Sequence, residues 1–132
     1  AELLVPGKTP EEKLGVLVGQ PLRVLRDRGR VLYFYDVGLH GASMTATVAI
    51  KSGLVSWVTY FCDEKIADLK AKQTNSSEKT IAISGVEKRG LRGGLRQLTF
   101  DESGTGYIFS PRGDRARVCL KWEPGKSFSE IQ

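Results

Sequence analysis

An α+β fold, in which an antiparallel β-meander sheet is covered by one or two short helices, is predicted by three features of the sequence. A capped amphipathic stretch near the start reads as a brief helix. Runs of β-branched and aromatic residues follow it, and turn-forming residues separate those runs. At 132 residues, 40% of them hydrophobic, the chain can fill one ordinary core but not two. A single domain over 1–132 is therefore expected.

The first helix is expected over residues 10–18. Thr9 can cap it, Pro10 suits its first position, and Glu11 and Glu12 sit where the helix dipole favours acids. Glu12 completes a capping box with Thr9. Leu14, Leu17 and Val18 supply an apolar stripe, and Gly19 followed by Pro21 ends the element. Strands are expected at Leu22–Leu25, Val31–Tyr35, Met44–Ile50 and Val55–Phe61, with turns at Asp27–Arg30, Gly38–Gly41 and Lys51–Gly53. Partial alternation in these runs suggests a sheet with one covered face and one wetter face. Asp63–Lys72 reads as a second helix, and residues 73–80 as a polar linker.

The second half restates the first. Leu22–Leu25 matches Leu95–Leu98, Tyr33–Tyr35 matches Tyr107–Phe109, Thr47–Lys51 matches Arg117–Lys121, and Val55–Val58 matches Phe128–Ile131. Matched segments lie about seventy residues apart, which suggests an internal repeat of 7–62 and 84–132. The helix of the first unit has no counterpart in the second, where Gly85, Gly90, Gly93 and Gly94 weaken any helix by about 1 kcal/mol each.

Gly7-Lys8-Thr9-Pro10-Glu11-Glu12, the exit at Leu17–Pro21, the aromatic run Tyr33–Tyr35, the run holding Val48 and Ile50, and then Gly53 and Val55 form a recognisable arrangement. It resembles the fold family shared by the small lipoprotein of the outer-membrane β-barrel assembly machinery and the β-lactamase inhibitor protein. In that family a short helical segment with a Gly-x-Thr entry and a Gly-x-Pro exit precedes an antiparallel meander, which one member carries twice. The resemblance covers about residues 7–60, and residues 84–132 weakly. It implies a periplasmic or secreted protein that binds another protein across its sheet or loops, with a cytoplasmic location as the alternative.

Composition argues against several other classes. No apolar run approaches the roughly 18 residues of a membrane-spanning helix. His40 is the only histidine and lies in a glycine-rich turn without a Ser or Cys signature, so a nucleophilic triad has no base. Carboxylate pairs at Glu11–Glu12, Asp63–Glu64 and Asp101–Glu102 have simpler roles at element ends. A non-enzymatic protein without cofactor or metal is expected. Cys62 and Cys119 can form one bridge or remain a buried pair of thiols.

The expected partner is another protein, with Tyr33, Tyr35, Trp57, Tyr107 and Trp122 as contact anchors, because aromatic residues concentrate at such surfaces. The alternative is nucleic acid or another polyanion. The net charge is +5, and Arg89, Arg92 and Arg96 form a late basic cluster suited to anions, alongside an early one at Arg23, Arg26, Arg28 and Arg30.

Overall fold

The computed structural model describes residues 4–36, 45–72, 77–81, 95–110 and 112–131. A 3-10 turn at Glu11–Lys13 leads into α1 (Leu14–Leu17). Then come β1 (Arg23–Asp27), β2 (Arg30–Asp36), β3 (Thr45–Lys51) and β4 (Leu54–Lys65). The second half runs α2 (Ile66–Lys72), β5 (Ser77–Ile81), β6 (Leu95–Phe100), β7 (Thr105–Phe109), β8 (Arg115–Trp122) and α3 (Phe128–Ile131). The antiparallel sheet with short helices is thus the architecture observed. The turn expected at Gly38–Gly41, with His40, lies outside the described residues.

Local chemistry explains the tight hairpins. Arg28 and Gly29 between β1 and β2 take φ of 50° and 80°, and Ser52 and Gly53 between β3 and β4 take 56° and 78°. Two successive positive values give the turn whose twist matches that of its flanking strands.

The first helix is shorter than expected, and its capping box does not form. The Thr9 hydroxyl accepts the Val5 N–H at 2.8 Å. The Val55 N–H donates to the Thr9 carbonyl, and the Gly7 N–H donates to the Val55 carbonyl. The segment is thereby tied to β4 before it can coil, and only the 3-10 turn and the four residues of α1 are helical. Conversely, β4 continues through Asp63, Glu64 and Lys65, where a helix was expected. Beyond a bulge after Phe61, β8 offers Ala116 opposite Glu64 and Arg115 opposite Lys65. A ladder partner outweighs the weak local preference of three polar residues. Ser77–Lys79 likewise belongs to β5 and not to a linker.

The sheet order is β1-β2-β3-β4-β8-β7-β6-β5. Each half is a meander of four strands, and the halves meet where β4 pairs β8. A helix precedes each meander, α1 the first and α2 the second, so the second meander does follow a helix. The segments matched in sequence do not occupy equivalent places: Val55–Val58 lies in β4, whereas Phe128–Ile131 is α3. Aromatic strands and glycine turns recur in any meander, so local matches survive a shift of frame by one strand.

Residues directly opposite one another in an antiparallel sheet share a face. Val24, Tyr33, Val48, Val58 and Lys121 are successive partners on one face. On this face Leu4, Leu14 and Leu17 pack over Tyr35, Val48, Ile50 and Val58. Ile66 and Leu69 of α2 pack over Leu98, Phe100 and Phe109 in the other half. On the opposite face α3 buries Phe128 against Leu120 and Trp122. Gly106 makes room there, since a Cβ would lie 3.0 Å from the Trp122 ring and 3.1 Å from Leu120.

Cys62 and Cys119 form a disulfide between β4 and β8, 57 residues apart, which settles the alternative left by the sequence. Replacing both cysteines with serine is expected to lower unfolding stability by about 2–4 kcal/mol in urea titration. An unchanged midpoint would contradict this.

Candidate protein-binding surface

Three rows of side chains cross the sheet on the face opposite α1 and α2. Leu25, Leu32, Ala49, Trp57 and Trp122 are successive cross-strand partners. Beside them run Arg23, Phe34 and Thr47, continued in the second half by Thr59, Leu120, Gly106 and Thr99. The Thr59 hydroxyl accepts the Thr47 N–H at 2.8 Å and joins the two parts. Phe61, Val118, Ile108 and Gln97 form the third row.

Only part of this face is covered. The Phe128 ring tilts against Trp122 at 4.7 Å and meets Trp57 edge-on at 5.8 Å. Trp122 is fully buried as a result, and its indole N–H donates to the Lys126 carbonyl at 2.8 Å. Asp101 holds α3 in place, its carboxylate accepting the Phe128 N–H at 3.2 Å. Leu32, Phe34, Phe61 and Val118 are half-buried and belong to none of the buried clusters among the described residues. Arg23 lies over the Phe34 ring at 5.6 Å, and Lys51 is exposed on the same face. An apolar strip carrying aromatic rings and edged by cations has the composition of a protein contact surface.

The five anchors expected from sequence do not form one surface. Tyr33, Tyr35 and Tyr107 lie on the helix-covered face, and Trp57 and Trp122 lie on the other. Tyr35 is buried, and burial raises its phenol pKa. Tyr107 packs edge-on to Phe100 at 6.0 Å. Tyr33 donates its hydroxyl to the Glu11 carboxylate and so ties β2 to the turn before α1. Of the five, Trp57 alone is half-exposed on the open strip. The residues that sequence reasoning missed are Leu32, Phe34, Phe61 and Val118. Strands β2 and β4 are apolar on both faces, a pattern that alternation alone does not resolve.

Of the anion-binding set, Arg89 and Arg92 lie outside the described residues. Arg96 sits on β6 opposite Phe109, on the helix-covered face. One carboxylate of each pair has a structural partner: Glu11 accepts from Tyr33, Asp63 from Arg115 at 3.0 Å, and Asp101 from the Phe128 N–H of α3. A depression of about 280 Å³ lies between Lys51, Ser56, Glu123 and Lys126. It falls just below the roughly 300–1,000 Å³ usual for small-molecule sites.

The Tyr33 latch has a pH signature. The hydrogen bond to Glu11, then burial, raises the Tyr33 pKa above its ordinary 10.0. A raised pKa leaves stability intact at neutral pH and removes it as pH climbs from the unfolded value through the folded one. Stability of the native chain is expected to fall more steeply above pH about 10 than that of Tyr33→Phe. Superimposable profiles would contradict the latch. Compared with known proteins, the chain matches no family, no curated protein and no solved structure.

Proposed function

We propose that this chain is a non-enzymatic protein-binding module of the cell envelope or secreted space, engaging its partner through the open sheet face and adjoining loops. The observation that carries this reading is the apolar strip of Leu32, Phe34, Phe61 and Val118, on which no described element packs. Burying a strip of this kind stabilises a complex by about 25 cal/mol per Å² of apolar surface before the costs of association. Phe34 and Trp57 are the central anchors, and Arg23 and Lys51 supply charge complementarity at the margin.

The cysteines support this choice of compartment. A disulfide between the two central strands favours an oxidising environment, where such bonds persist. The sequence resemblance to envelope proteins that bind through a sheet points the same way.

Affinity capture from envelope fractions, run at low and high salt with all bound species identified, tests the proposal. One protein should be retained at high salt. Phe34→Asp and Phe61→Asp should each weaken its capture about tenfold or more while leaving the thermal midpoint within a few degrees. Capture unchanged in both variants would reject the surface. Retention of nucleic acid or other polyanion only at low salt would instead favour the arginine clusters, including Arg89, Arg92 and Arg96.

A further inference from the structure

Among the described residues no strand pairs with the outer edge of β1. β1 stands at one end of the sheet, and all five of its residues are exposed. Asp27 and Arg30 flank the two-residue turn into β2, which makes them a hydrogen-bonded pair. Alternation then directs the peptide N–H and C=O of Leu25 toward β2, and those of Val24 and Arg26 outward. Apolar surface gathers at the same edge. Leu22 is 63% exposed, Val24 40% and Leu25 39%. Outward peptide groups beside exposed apolar side chains form a template for a further strand.

We infer that β1 pairs antiparallel with β1 of a second copy, about a two-fold axis through Leu25. Outward-facing residues must pair with one another. The register that meets this condition and overlaps all five residues sets Val24 against Arg26 of the second copy, and Leu25 against Leu25. It also sets Arg23 against Asp27 of the second copy, and the reverse, giving two opposite-charge pairs around a leucine pair on the open face. Arg23 already lies on that face over Phe34, and Asp27 makes no ion pair with another described residue. A slip of two residues one way sets Arg26 against Arg26, and a slip the other way sets Arg23 against Leu25. An unrelated peptide would satisfy the outward peptide groups but not this charge pattern, so a second copy is the occupant. The contact is short, so the dimer is concentration-dependent and not permanent. It makes the apolar strips of two copies continuous.

Sedimentation equilibrium of the full chain, from micromolar to about 1 mM, is expected to show monomer and dimer in exchange. Arg23→Asp and Asp27→Arg each set like charges opposite one another and should raise the dissociation constant about tenfold. The double variant Arg23→Asp with Asp27→Arg should return it to near the native value. Val24→Pro removes an outward N–H, spares the ladder to β2, and should leave only monomer. A monomer at every concentration overturns the inference. So does a dimer indifferent to Val24→Pro, or a double variant no tighter than the singles.

Discussion

Antiparallel pairing of β4 with β8 is the constraint on which the rest of the structure depends. Either meander alone would expose a long inner strand with a full row of unpaired peptide groups. Joined, the two strands satisfy each other and form the middle of one eight-stranded sheet. Both sides of this seam are closed. On the helix-covered face the Cys62–Cys119 bridge spans it, and on the other face the Trp57–Trp122 pair crosses it under Phe128. The exposed Asp63–Arg115 ion pair adds little, since exposed pairs contribute about 0–1 kcal/mol.

The seam's register also decides what each face can do. With Tyr60 opposite Cys119 and Trp57 opposite Trp122, the tyrosines are committed to the covered core and the open face is left to Leu32, Phe34, Phe61 and Val118. Core packing and the proposed contact surface are therefore separated by face. The helix side spends its aromatics on packing and on the Tyr33–Glu11 latch, while the open side leaves half-buried rings that the proposed partner would cover. Extending the sheet through β1, as proposed, would lengthen both faces, with Leu25 against its copy on the open side and Val24 against Arg26 of the second copy on the other.

Much of the fold is legible locally. Strands β1 to β4 follow runs of β-branched and aromatic residues, and their two-residue turns follow Arg28–Gly29 and Ser52–Gly53. What is not legible depends on partners distant in sequence. Thr9 has the chemistry of a helix cap, yet it serves the Val5 turn because β4 holds the segment. Asp63–Lys65 has no strand preference, yet β8 pairs it. Which face each aromatic residue takes is illegible for a subtler reason. Alternation would put Val55 and Trp57 on one face, but the register shifts beside Ala49, so Val55 pairs Ile50 on the covered face and Trp57 pairs Ala49 on the open one. One extra residue in β4 reverses the assignment of a whole strand, and nothing local announces it.

Residue-resolved native-state hydrogen exchange tests the seam most directly. The amides of β4 and β8 should be the slowest, opening only with the whole molecule, and protection should fall toward β1 and β5 in both halves. Fast exchange along β4 and β8, with strong protection retained inside one meander, would mean that the halves are stable apart and would contradict the account.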